Sequence, residues 1–84
     1  MNLSQLYYFR KLAEVKHYTH AAEELFISQP TLSNSISQLE RELGIPLFER
    51  EGRKIKLTKY GEEFYQYATE AVNALEKGIA LAHE

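Results

Sequence analysis

Apolar side chains return every three or four positions at the start of the chain, at Leu3, Leu6, Phe9, Leu12 and Ala13. That spacing predicts an amphipathic helix over about Leu3–Val15. His17 and Tyr18 interrupt it, and Thr19 is suited to cap a second, short helix reaching about Leu25. Ala21 and Ala22 inside that helix are small enough for a neighbouring helix to approach closely, or are simply good helix formers; the pattern allows either.

A third helix is predicted over about residues 29–43. Ser28 suits the N-cap, and Pro30 falls in the first turn, where its missing N–H costs nothing. Ile27 and Leu32 occupy the two positions of a hydrophobic staple. Gly44 ends the helix, Ile45 is placed to pack back toward Leu39, and Pro46 stops the run. From Leu47 to Leu57 the period changes. Ile55 and Leu57 alternate with Lys54 and Lys56, and Gly52 supplies a turn, which predicts a β-hairpin. Thr58 can cap a last helix running toward residue 82 or beyond.

Helix, short helix, helix, hairpin, long helix is the order of a mainly α winged helix-turn-helix. The helix-turn-helix falls at about 18–37, the wing at about 47–57 and the whole winged unit at 1–58, with 59–84 as a linker helix. In the last helix Tyr65, Ala68, Val72, Leu75, Ile79 and Ala82 step alternately by three and four, the rhythm of a coiled-coil seam. Tyr60, Phe64 and Tyr67 lie on an adjoining face suited to dock on the small domain. A helix of that length outruns so small a domain, so the seam is expected to bind a second copy.

The third helix is unusual in what it shows the solvent. Leu32, Ile36, Leu39 and Leu43 form one stripe that must face the core, at about 100° per residue. Pro30, Asn34, Ser37 and Arg41 lie opposite, Ser33 and Gln38 flank them, and Gln29 and Thr31 sit at the N-terminal tip. Short hydrogen-bonding side chains are mediocre helix formers. On polarity alone the face reads as an ordinary solvated surface. With a short helix before it and a basic hairpin after it, it reads as a helix for the DNA major groove. Asn and Gln pair with adenine, Ser and Thr with several base edges, and Pro30 or the Thr31 methyl can meet a thymine methyl.

Charge sharpens the picture. The 84 residues carry a net −2, but residues 1–49 hold four basic against six acidic side chains, and residues 60–84 hold Lys77 against five acids. Between them, residues 50–59 gather Arg50, Arg53, Lys54, Lys56 and Lys59 against Glu51 alone. A local field of that kind suits a polyanion despite the acidic total.

The length leaves room for one small domain. There is no Cys, which excludes disulfides and thiolate ligands and fits a reducing compartment. No basic-then-apolar leader and no run of 18 apolar residues occurs, so a cytoplasmic, non-membrane protein is expected, or a piece of one. His17 and His20 are three apart but straddle a predicted helix break, with no third ligand near. Ser28 and Ser33 lack a base and an orienting carboxylate, and no Gly-rich phosphate loop is present. Asn2-Leu3-Ser4 matches a glycosylation sequon by chance. Neither an enzyme nor a metal or cofactor site is expected. The alternative to a DNA-binding role is a winged-helix module for protein contact.

A run of residues resembles the DNA-binding domain of LysR-type bacterial transcriptional regulators. It comprises Leu6 and Phe9; Tyr18-Thr19 with Ala21-Ala22-Glu23; Leu25; Ile27-Ser28-Gln29-Pro30; Leu32-Ser33; Ile36; Leu39-Glu40; Leu43-Gly44; Leu47-Phe48-Glu49-Arg50; Leu57-Thr58; and Gly61. The resemblance implies base contacts from Gln29, Pro30, Thr31, Ser33 and Asn34, with Arg53 of the wing in the minor groove. Thr19, Ser28, Ser37, Arg50, Lys54, Lys56 and Thr58 are expected to position the DNA backbone. It also implies a homodimer through antiparallel last helices on double-stranded DNA, leaves room for a tetramer, and suggests that a small-molecule effector domain follows in the longer regulator. Family members often carry a basic residue where this chain has Asn34. Here the electrostatic share falls on Arg50, Arg53, Lys54, Lys56 and Lys59.

Overall fold

The computed structural model describes residues 1–83. Its elements are α1 (Leu3–Val15), α2 (Tyr18–Leu25), α3 (Gln29–Leu43), β1 (Phe48–Glu51), β2 (Lys54–Leu57) and α4 (Lys59–Leu81). The helix ends follow local chemistry. Asn2 and Gln5 form a capping box on α1, Ser28 accepts the Thr31 N–H on α3, and Thr58 accepts the Gly61 N–H on α4. Gly44 closes α3 in left-handed backbone, φ 76°, and Gly52 turns the hairpin at φ 64°. The strands pair antiparallel with Arg50 opposite Ile55 and Glu49 opposite Lys56.

The expected cap of α2 is corrected. Lys16 turns left-handed, φ 61°, and ends α1 with its N–H on the Leu12 carbonyl. That leaves His17 extended, and its Nδ1, not Thr19, accepts the His20 N–H at 3.3 Å. Thr19 is an exposed first-turn residue. The two imidazoles stack, with ring centroids 4.2 Å apart.

The helices close on one core centred on Phe9, which is wholly buried with Leu12, Leu32, Leu39 and Leu47. The Phe9 ring meets Phe48 at 5.5 Å, Phe64 at 5.4 Å and Tyr65 at 6.3 Å, tilted or edge-on, the arrangements aromatic quadrupoles favour. This one side chain thus joins α1, the wing and α4. Two expected core positions prove peripheral, since Leu3 and Ile45 stay largely exposed while Leu47 fills the interior.

The largest correction concerns α4. Ala68 and Val72, expected in an intermolecular seam, are buried within the chain, and Tyr65 is half-buried on Phe9 with its hydroxyl 3.2 Å from Glu14. Tyr60 and Phe64 pack against the core as expected. Tyr67 does not, because three residues past Phe64 it has rotated about 60° away. Heptad spacing records that a face is covered but not by what. Only Leu75, Ile79 and Ala82 of the predicted seam remain exposed, on the part of α4 beyond Val72.

Candidate nucleic-acid interface

The N-terminal ends of α2 and α3 and the wing surround one open cleft. Lys16, His17, Tyr18 and Thr19 line its first wall, Gln29 and Ser33 of α3 its second, and Phe48, Glu49, Arg50, Arg53 and Ile55 its third. Five predicted contact residues (Thr19, Gln29, Ser33, Arg50 and Arg53) therefore meet in space although 34 positions separate the outer two. The fold brings them together by setting the α3 stripe of Leu32, Ile36 and Leu39 into the core, which turns the polar face outward.

Other predicted contacts lie around that cleft. Pro30, Thr31 and Asn34 are exposed on the same end of α3 but do not line it. Ser28 and Thr31 are tied to each other, with hydroxyl oxygens 2.7 Å apart while Ser28 also accepts the Thr31 N–H. Ser37 faces a shallower hollow with Glu40, Arg41 and Pro46. Thr58 is a correction, because its hydroxyl donates to the Pro46 carbonyl at 2.8 Å and accepts from Gly61 N–H at 3.0 Å. Its one proton is committed to the fold, so it has none to offer a phosphate.

The wing's cations divide. Lys56 reaches Glu49 at 3.6 Å and Glu51 at 3.5 Å across the hairpin, whereas Arg50, Arg53 and Lys54 make no ion pair among the described residues. All four are exposed, and Lys54 and Lys56 flank the buried Ile55, so the wing shows its charge outward. Tyr18 lines the same cleft and feels charges of both signs. Burial raises its pKa above the ordinary 10.0, the Glu40 carboxylate adds to the rise, and the Arg50 guanidinium opposes it. The phenol is thus a neutral hydrogen-bonding group at the cleft near physiological pH.

Three features of the site escaped the sequence reading: the His17 cap, the placement of Tyr18, and the use of Glu40. The Glu40 carboxylate accepts the Leu47 N–H at 2.6 Å and the Phe48 N–H at 3.3 Å, reaching from α3 to the start of the wing. A short polar cap residue is readable from sequence; a carboxylate serving backbone seven residues on is not. Among the described residues no group of three or more His, Asp or Glu is placed to hold a metal ion, and no helix is long and apolar enough to cross a membrane.

The model of bacterial regulatory helix-turn-helix proteins of the lysR family matches residues 3–62, and the chain belongs to that family. It is 53% identical over 64 residues to the uncharacterized HTH-type transcriptional regulator YybE of Bacillus subtilis, a match covering 76% of this chain and 22% of that protein. It is 42% identical over 81 residues to the HTH-type transcriptional regulator BenM of Acinetobacter baylyi, covering 96% of this chain and 27% of BenM. In three dimensions it is similar to the crystal structure of the BenM DBD/catB site 1 DNA complex. The TM-score there is 0.93 at 41% identity, covering 99% of this chain and 92% of that one. The chain thus spans about a quarter of these two curated relatives.

Proposed function

We propose that this chain is the sequence-specific DNA-binding part of a transcription regulator, with α3 in the major groove and the wing in the adjacent minor groove. The observation that carries it is the shared cleft, where the polar tip of α3 meets Arg50 and Arg53 of the wing. Gln29, Pro30, Thr31, Ser33 and Asn34 read base edges, and Arg53 reads the minor groove. Arg50 and Lys54 neutralise phosphates, and Lys56 contributes less because Glu49 and Glu51 already share its charge. The similar BenM structure, a complex with DNA, supports the reading. Its work is binding, not catalysis, and a chromosomal target places it in the cytoplasm.

The chain acts as a homodimer on a two-fold site, with α4 supplying the contact. The seam is narrower than the sequence pattern suggests. Leu75, Ile79 and Ala82 are its members, because Ala68 and Val72 are already covered by the chain's own core. Tyr67 and Leu81 add exposed apolar surface on the neighbouring face.

Selection from a random duplex pool, followed by titration at several salt concentrations, tests the proposal. The expected result is an enriched motif with two-fold symmetry. Its log–log salt slope should be about −0.9 for each phosphate neutralised. A chain that enriches no motif, or binds independently of salt, is instead a protein-contact module.

A further inference from the structure

We infer that Glu40 is a positioning residue for DNA recognition, setting the separation between the recognition helix and the wing. The inference rests on the DNA reading above and assigns to Glu40 the alignment of its two reading elements. A two-stranded hairpin has little stability alone, so its place depends on what holds its base. Here the base is the segment Pro46-Leu47-Phe48, and α3 reaches it through one carboxylate oxygen that accepts both the Leu47 and the Phe48 N–H. The shorter bond, 2.6 Å, joins a carboxylate to a backbone N–H, a charge-assisted pairing.

Local helix chemistry does not account for a glutamate there. Glu40 lies in the last turn of α3, where a negative charge faces the negative end of the helix dipole. The carboxylate is half-buried, and the group it serves lies outside its own helix. Its effect is on distance. Gln29 and Ser33 sit earlier on the same rigid helix, while Arg50 and Arg53 follow Phe48 by two and five residues on a short, paired ladder. Beside the apolar contacts of Leu47 and Phe48, this carboxylate is the polar tie that aligns the wing base to α3, and so sets how far apart the groove-reading groups stand. The opposite side of the same segment is held independently, by Thr58 N–H on the Leu47 carbonyl at 2.9 Å. Loss of the Glu40 contact should thus let the wing shift relative to α3 without unfolding, since Leu47 stays in the core, Phe48 stays on Phe9 and the Ile55 N–H still meets the Lys16 carbonyl.

The test uses the duplex motif selected by the wild-type chain, with either A·T-rich or G·C-rich flanks. The readout is the ratio of the two dissociation constants, which a change in the fraction folded leaves untouched. Glu40→Met keeps length and helix propensity but removes the acceptor. It should weaken binding about tenfold and lower the flank ratio to that of Arg53→Ala. Glu40→Asp keeps the charge but shortens the reach, and should lose part of the ratio even if the Met variant does not fold. Glu40→Gln keeps an acceptor oxygen and should stay within about threefold of wild type. The inference is overturned if the Met and Asp variants keep the wild-type ratio, or if Gln falls as far as Met. A wild-type chain that selects no duplex overturns the DNA reading, and this inference with it; wild-type binding with an unmoved ratio in the variants overturns this inference alone.

Discussion

Phe26 places a bulky aromatic in left-handed backbone, φ 59°, with its ring 95% exposed. The Cβ of an L-residue there costs about 1–2 kcal/mol, and this ring recovers nothing by burial. Phe26→Asn suits the same backbone better and should raise stability by about 1 kcal/mol, read as a higher denaturant midpoint at unchanged slope. A lower midpoint would mean that the ring is held by contacts within the fold. Gly61 is the opposite case. It is buried where α4 crosses the wing base, and a Cβ there would run into the Leu47 carbonyl. Gly61→Ala should cost about 1–3 kcal/mol of stability, as overpacking does; a neutral result would show that α4 can shift away from the wing. At the reading surface, Gln29→Ala and Asn34→Ala should each cost about 1–3 kcal/mol on the selected site and relax preference at one base position. Equal losses on random duplex would show that neither side chain reads a base.

At the scale of elements, the wing makes a divided prediction, because its cations are not equivalent. Arg53→Ala should weaken binding and lower the preference for a narrow, A·T-rich minor groove. Lys56→Ala should do far less, since its charge is already met by Glu49 and Glu51. Equal effects in side-by-side titrations would show that those carboxylates do not hold Lys56 in solution. Elements were also the scale at which the sequence was most legible. Ser28, Pro30 and Gly44 mark the ends of α3 because capping and backbone restriction act within a few residues. Ile55 between lysines marks β2 for the same kind of local reason. His17 was missed because imidazole is an uncommon cap, whose role here depends on Lys16 turning left-handed beforehand. The polar face of α3 was readable; that it shares a cleft with Arg50 and Arg53 depends on how the hairpin docks, which Glu40 and Phe9 decide through contacts distant in sequence.

The whole molecule measures 45 × 25 × 19 Å, a length that reflects α4 running on past its own core. The heptad from Tyr65 to Ala82 is periodic throughout, yet it serves two surfaces. Its first half is buried within the chain, and its second half is exposed, although Arg10 of α1 reaches Glu76 on it at 3.2 Å. From Val72 to Leu81 that overhang spans about 14 Å. Leu75 and Ile79 are 39% and 49% exposed on it, one turn apart, with Ala82 the next small residue along. Each is already more than half covered, so pairing would gain only the remaining fraction of the about 1.5–3 kcal/mol that full burial of a Leu or Ile is worth, counted twice by the two-fold. That is part of the about 8 kcal/mol that a micromolar constant requires, the rest falling to exposed neighbours such as Tyr67 and Leu81. The division of the heptad predicts different outcomes for its two halves. Leu75→Glu should dissociate the dimer and weaken binding to a two-fold site, while circular dichroism and the thermal midpoint of the winged unit change little. Val72→Glu should instead unfold the chain, because its charge would enter the monomer core. Sedimentation equilibrium decides between one seam and none: a wild-type chain still monomeric at about 100 μM, far above a micromolar constant, would remove α4 as the dimer contact.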